Sequence, residues 1–325
     1  MRPVIGCLGA GRMGRGIAVV FAFAGHQVII VDFKEREAAA FEALAAEASA
    51  EIRSTLEILS RIDLLPAELV PTIAERVTIA PRQKAAAVLP RCDVIFEGVP
   101  EILGLKQAAL AEASQLAGEG SIIASTTSTI LVDDLAGSVE HPGRFLNAHW
   151  LNPAYLVPLI ELSPGKLTAP ETTARMKTLL EGIGKVPVVC AARPGFIVPR
   201  IQSLAMNEAA RMVEEGVASA EDIDKAVIYG FGFRFAVLGL LEFIDWGGGD
   251  ILHHASRYLV EALGDSRYAA PEIIATNMRE GRIGMKTGQG FMNYEGVDQA
   301  AYREKRLAAF ASALRAMGLA REPVA

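Results

Sequence analysis

The chain has 325 residues, room for two domains at roughly 150 residues each. It is 51% hydrophobic and 22% charged, the balance of a globular protein with substantial cores. A net charge of −6 offers no basic surface for nucleic acid or an anionic membrane. Cys7, Cys92 and Cys190 lie far apart in apolar contexts, the pattern of reduced thiols in a cytoplasmic protein.

The apolar run PVIGCL (3–8) leads directly into GAGRMG (9–14) and then IAVVFAFAG (17–25). Strand, glycine turn and helix in this order are the context that G-x-G-x-x-G requires: Gly9 for the tight turn, Gly11 for close approach of a pyrophosphate, Gly14 for helix packing. The same glycines interrupt any signal-peptide core, and no later run reaches about 18 apolar residues, so no membrane span is expected. A second strand, QVIIVD (27–32), ends in Asp32, near the spacing of about 20 residues at which an acid accepts hydrogen bonds from the ribose of NAD and repels the 2′-phosphate of NADP. Lys34 leaves some room for NADP, and FAD is the other dinucleotide open at this point.

From Glu35 to about Arg61 the chain is rich in Ala, Glu and Leu, with helical periodicity and no Gly or Pro, and is expected to form a helical-hairpin insert over about 35–62. Strands follow at 76–80, 92–100, 121–126, 145–150 and 157–163, and 185–190 closes the sheet. Thr168 with Glu171 three positions on reads as a helix N-cap. The fold class expected is α/β, a Rossmann-type doubly wound sheet over residues 1–192, followed by a smaller all-α domain over 193–325. In that second domain Ser219 with Asp222 reads as a cap, and glycines at 230–232 and 247–249 read as punctuation. The apolar stretch FAVLGLLEFIDW (235–246) fits either an internal helix or a dimer contact.

Histidines occur at 26, 141, 149, 253 and 254, none at metal-ligand spacing. His149 stands out in the greasy stretch LNAHWLNP, with Glu161 alone in the apolar run that follows. An imidazole titrates near neutrality and can exchange a proton with an alcohol, and a carboxylate behind it can select its tautomer. Taken singly, a satisfied core histidine and a solvent-facing glutamate are the commoner outcomes.

Several segments in register then carry a resemblance: FEGVPE with Lys106 (96–106), ASTTST (124–129), HWLNP (149–153) with PLIEL, PGFIVPR (194–200) and GRIGMKTGQGFMNY (281–294). Over almost the whole chain the sequence resembles the NAD-dependent L-3-hydroxyacyl-CoA dehydrogenases of fatty-acid metabolism. The resemblance implies His149 as general base and Glu161 as its orienting acid. It implies Ser128 and Asn152 as substrate contacts, and Gly9, Gly11, Arg12, Met13, Gly14, Asp32, Glu101 and Lys106 at the cofactor. It further implies NAD as cofactor, a homodimer formed through the C-terminal domain, and a short-chain substrate such as 3-hydroxybutyryl-CoA.

Some positions depart from the family's pattern. Pro199 replaces an asparagine after GFIV, and Thr126 stands where asparagine is usual. FGFRFA (231–236) resembles instead the carnitine and L-gulonate 3-dehydrogenase branch, so Arg234 is either a carboxylate-binding substrate residue or a structural arginine between helices. The insert carries only Arg36, Arg53 and Arg61 against many glutamates, few cations for a CoA nucleotide. A free 3-hydroxy acid or a carnitine-like molecule is the alternative substrate, and a non-catalytic dinucleotide-binding protein the remote one.

Overall fold

The computed structural model describes residues 2–323. Contacts divide the chain into two compact units, the first ending at Met206 and the second starting at Asn207.

The first unit is built on eight strands: β1 (Ile5–Leu8), β2 (Val28–Asp32), β3 (Val77–Pro81), β4 (Val94–Glu97), β5 (Ile122–Ser125), β6 (Phe145–Trp150), β7 (Leu159–Pro164) and β8 (Val186–Val189). They form one sheet in the order β3-β2-β1-β4-β5-β6-β7-β8. Every pair is parallel except β6–β7. Seven helices accompany them: α1 (Arg12–Phe23), α2 (Ala38–Arg61), α3 (Val70–Ala74), α4 (Ala85–Val88), α5 (Leu103–Leu116), α6 (Val132–Ala136) and α7 (Pro170–Gly182).

Strands β1, β2, β4, β5 and β6 are buried along their whole length, which is why they read as unbroken apolar runs rather than as alternation. Successive residues nevertheless go to opposite faces. Ile5, Cys7, Val28, Ile30, Val94 and Phe96 join the core under α1, α2 and α7. Leu8, Ile29, Val31 and Ile95 join the core that contains Leu110 of α5 and Leu135 of α6. Two cores on two faces make the sheet doubly wound. Connections leave β1 and β4 in opposite directions, so a crevice opens at the C-terminal ends of these neighbours.

Three local expectations need correction. The insert is not a hairpin within 35–62: it is the single 24-residue helix α2, whose return limb is a short turn of 3-10 helix at Ala67–Leu69 followed by α3. With no Gly or Pro before Asp63 (φ 60) and Pro66, nothing breaks it earlier. Its Ala48, Ile52, Leu56 and Leu59 form one buried stripe. Thr168 does not cap α7, because Pro170 occupies the start of the helix and leaves Ala169 at the cap. The Thr168 hydroxyl instead donates to Phe145 O at 2.6 Å and accepts from Gly165 N at 2.8 Å.

The third correction lies in the helical second unit. Helix α8 (Val198–Glu214) crosses the division between the units. Next come α9 (Ala220–Ala226), capped by Ser219 accepting from Asp222 N, and α10 (Phe233–Phe235). Gly230 and Gly232 do not punctuate here: Val227–Gly232 is a π-helical turn that continues α9 into α10. A side chain at Gly232 would come within 3.0 Å of Val227 O, so glycine permits this turn. Gly248, at φ 107, does separate α11 (Leu240–Gly247) from α12 (Gly249–Leu263); α13 (Glu272–Arg279) and α14 (Gln299–Ala316) follow. Buried Asp245 of α11 accepts from Phe291 N, Met292 N and the Tyr294 hydroxyl, which ties GRIGMKTGQGFMNY to this unit. Among the described residues no single helix is long and apolar enough to cross a membrane.

Candidate active site

Gly9, at φ +98, turns the chain off β1, and its N–H donates to Val31 O at 2.8 Å. A side chain here would approach Gly98 O on the loop after β4, and one at Gly14 would collide with Gly9 O. At Gly11, the N-cap of α1, a side chain would meet no protein atom within 4 Å. The protein therefore demands two of the three glycines itself, while the third keeps open the space above the helix N-terminus, where free N–H groups favour a phosphate. A cavity of about 540 Å³ runs from this loop to Asp32 at the end of β2. Asp32 is buried, and its Oδ2 accepts from Arg36 Nε at 2.5 Å. Neither Arg12 nor Met13 lines this cavity. Arg12 faces a second cleft of about 300 Å³ that also contains Asn152, while Met13 packs on the core.

His149 and Glu161 are directly opposed across the antiparallel pair β6–β7. Leu146, Ala148 and Trp150 enter one core, which sends Asn147 and His149 to the other face, where Glu161 and Ser163 meet them. His149 Nδ1 lies 2.8 Å from Glu161 Oε2. The other oxygen, Oε1, accepts from Ile197 N and Val198 N at 2.8 Å each, so the carboxylate sits against the first amides of α8. Burial pushes the Glu161 carboxyl upward, but these three bonds outweigh it and hold its pKa below the ordinary carboxylate range. An ionised carboxylate can only accept, so Nδ1 carries a proton, and in the neutral imidazole Nε2 keeps its lone pair. The Phe196 ring stacks on the imidazole at 5.3 Å and 18°. Phe196 adopts φ 43, a strained conformation for an aromatic residue, held where it fixes the ring. Pro199 falls in the first turn of α8, where a missing N–H costs the helix nothing.

Glu101 gathers the loop after β5. Its Oε1 accepts from the Thr127 hydroxyl, from Ser128 N at 3.0 Å, and from Thr129 N and Oγ1. Burial raises the Glu101 carboxyl, but the Thr127 hydroxyl, the Lys106 charge and the Thr129 hydroxyl bring it below the ordinary range. Lys106 does not reach the cofactor cavity. It is 1% exposed, and its Nζ donates to Glu97 Oε1 at 2.9 Å and Val99 O at 3.1 Å, with Glu101 Oε2 at 3.3 Å. Fully buried Glu97 also accepts from Ser125 Oγ at 2.6 Å. Neither Glu101 nor Lys106 lines the cofactor cavity: Lys106 holds Val99, which does, and Glu101 holds the Ser128 loop. Ser128 and Asn152 remain accessible, beyond the C-terminal ends of β5 and β6. Arg234 lies in the second unit, where Nε donates to Gly230 O at 3.0 Å and the guanidinium rests 5.2 Å from the Phe243 ring centroid.

The family profile described as "3-hydroxyacyl-CoA dehydrogenase, NAD binding domain" matches residues 4–193, and that of the family's C-terminal domain matches 195–294. The chain belongs to the 3-hydroxyacyl-CoA dehydrogenase family. It is an NAD-dependent oxidoreductase acting on CH–OH. Among its relatives, 3-hydroxybutyryl-CoA dehydrogenase of Bradyrhizobium diazoefficiens is 32% identical over 90% of this chain and 95% of its own. The 5-formyl-3-hydroxy-2-methylpyridine 4-carboxylate 5-dehydrogenase of Mesorhizobium japonicum is 30% identical over 93% and 94%. In structure, a 3-hydroxyacyl-CoA dehydrogenase of Archaeoglobus fulgidus superposes with a TM-score of 0.76 at 30% identity, covering 98% of this chain and all of that one.

The dehydrogenase's glycine cradle and Asp32 fit an NAD molecule, which when bound accepts or returns a hydride at its nicotinamide ring. Several residues of the site escape sequence reasoning. Glu97 had the same signal as Glu161, a lone carboxylate in an apolar run. Phe196 had none beyond its place after Pro194-Gly195. Asn147, whose Nδ2 donates to Ile130 O at 2.9 Å, sits two residues before His149 on the same face and ties the Ser128 loop to β6.

Proposed function

We propose that this dehydrogenase interconverts a short-chain L-3-hydroxyacyl-CoA and its 3-keto form, with 3-hydroxybutyryl-CoA as substrate. The observation that carries the reading is the His149–Glu161 pair, in which Glu161 takes the Nδ1 proton and leaves Nε2 as the basic nitrogen of the neutral imidazole. His149 takes the proton of the 3-hydroxyl as hydride leaves the same carbon, and returns it in the reverse direction. Glu161 stabilises the imidazolium formed meanwhile. Ser128 and Asn152 hold the substrate oxygens and keep the alcohol in line.

A substrate panel followed by NADH formation tests this: both enantiomers of 3-hydroxybutyryl-CoA and of free 3-hydroxybutyrate, with carnitine and gulonate. Turnover of the L-thioester at the highest kcat/KM is expected. Turnover confined to free acids would replace this reading with a second one, favoured by Arg234, whose guanidinium pairs with no carboxylate among the described residues. In that case Arg234→Ala raises KM for the acid.

A homodimer is part of the same proposal. Among the described residues of the second unit, only Ile223, Leu238, Ile274, Met285 and Tyr294 are buried apolar side chains, while Val217, Ile228, Ile251 and Leu307 are more than half exposed. Such a unit needs a second copy to cover it, and sedimentation of a single monomeric species at micromolar concentration would exclude that. The cytoplasmic placement rests on the free thiols, of which Cys7 and Cys92 are buried with pKa values pushed up by burial.

A further inference from the structure

Asn152 is exposed and makes no side-chain hydrogen bond among the described residues, so its position depends on the loop that carries it. That loop runs from Leu151 to Pro158, between the strand that holds His149 and the strand that holds Glu161. It is folded by two bonds to Pro153 O, from Leu156 N at 3.0 Å and Val157 N at 2.9 Å. Its outward anchors are the backbone bond from Val186 N to Pro158 O at 2.9 Å and one lysine side chain. Lys185, at the start of β8, is 8% exposed, and its Nζ donates to Ala154 O at 2.6 Å and Val157 O at 2.8 Å.

No carboxylate lies within ion-pairing distance of this ammonium among the described residues; the aromatic face nearby is Trp150, 5.9 Å from Nζ to the ring centroid. Burial alone lowers the Lys185 pKa from its ordinary value, a sign of the desolvation the position imposes. Such burial is costly and is tolerated where the cation satisfies groups that would otherwise stand unpaired. The two carbonyls are those groups, and they bracket the turn that follows Asn152. On the opposite side the Ala154 methyl packs over Gly16 of α1, where an added side chain would come within 3.3 Å of it. The loop is therefore clamped between α1 and β8, with Trp150, the residue after His149, wedged against Phe21 and Phe96.

We propose that Lys185 is a positioning residue for the substrate: by holding the Asn152 loop it sets the distance between the Asn152 carboxamide and His149. This rests on the reading of Asn152 as a substrate contact. Lys185 is absent from the lining of the NAD cavity and from that of the cleft that Asn152 lines, so its effect on turnover is transmitted through the loop.

The test is a double-substitution cycle on the full chain with L-3-hydroxybutyryl-CoA and NAD. Lys185→Met should lower kcat/KM roughly tenfold to hundredfold, the scale on which small misplacements act, with the NAD dissociation constant unchanged. In the Asn152→Ala background the same substitution should cost no more than about twofold, and Lys185→Arg should recover part of the loss. An equal cost in both backgrounds, or a parallel loss of NAD affinity, would make Lys185 a general structural residue and overturn the proposal. If Asn152→Ala cripples the enzyme and Lys185→Met does not, the positioning role alone falls. If Asn152→Ala has no effect, the substrate role of Asn152 falls and takes the positioning role with it. Should Lys185→Met fail to fold, Lys185→Gln, which keeps one donor, takes its place in the cycle.

Discussion

Replacing Glu161 by glutamine changes one atom in the pair that defines this site, and its consequence can be worked from the three bonds the carboxylate accepts. Oε1 takes two backbone N–H groups, from Ile197 and Val198, while Oε2 takes His149 Nδ1–H. Glutamine has one oxygen and one NH2. Turning the NH2 toward the two amides would leave two buried donors unmet, at about 1–3 kcal/mol each. The oxygen therefore stays with Ile197 and Val198, and the NH2 faces His149. Nδ1 must then accept, the ring proton moves to Nε2, and the nitrogen that should take the alcohol's proton already carries one. The analogous change in a serine-protease triad costs about 10⁴ in kcat, so Glu161→Gln should lose roughly 10³–10⁴ in kcat, about 4–5.4 kcal/mol at 1.36 per decade. The assay is steady-state NADH formation with kcat and KM resolved, beside an NAD titration to confirm an intact cradle. A loss below tenfold, or one carried entirely by KM, would refute the tautomer argument.

Lys106→Met leaves Glu97 buried without its cation and should cost about 3–5 kcal/mol in urea unfolding; a cost below about 1 kcal/mol would show that the network does not depend on the ammonium. NAD should raise the melting temperature more than NADP at equal concentration, and Asp32→Asn should narrow the gap; equal shifts in the unaltered protein would remove the role given to Asp32. Glu161 and Glu101 titrate below the unfolded carboxylate value of about 4.3. Their stabilising contribution is therefore complete above that pH and is lost as pH falls through the lower folded values. The melting-temperature gap between the unaltered protein and Glu161→Gln should shrink on acidification below about 4.3, and parallel curves would contradict this.

The strands were legible because parallel strands buried on both faces leave apolar runs that little else in a chain of this type produces. The catalytic pair was legible for the converse reason, since His149 and Glu161 are ionisable groups inside such runs. Helical detail was less so. The breaker-free run in α2 is long enough for a hairpin, and the buried stripe of Ala48, Ile52, Leu56 and Leu59 decides for a single helix. Gly230 and Gly232 looked like stops because a sequence does not distinguish a turn from a π-helical continuation. Lys106 stands out only through the resemblance, which implies a place at the cofactor, and Lys185 does not stand out at all: in an amphipathic pattern nothing marks the lysine whose ammonium faces inward. Their roles depend on acceptors distant in sequence or on loops whose course the pattern does not encode.

A single ammonium, Lys106 Nζ, touches Val99 O on the cofactor's wall, the carboxylate of Glu97, and the carboxylate that gathers Ser128. Redesign of the 126–129 loop for a bulkier acyl group therefore has a hidden partner. Any shift of Glu101 tugs on the peptide beside the dinucleotide, and selectivity for one ligand will drift when the other is altered unless position 106 is varied alongside.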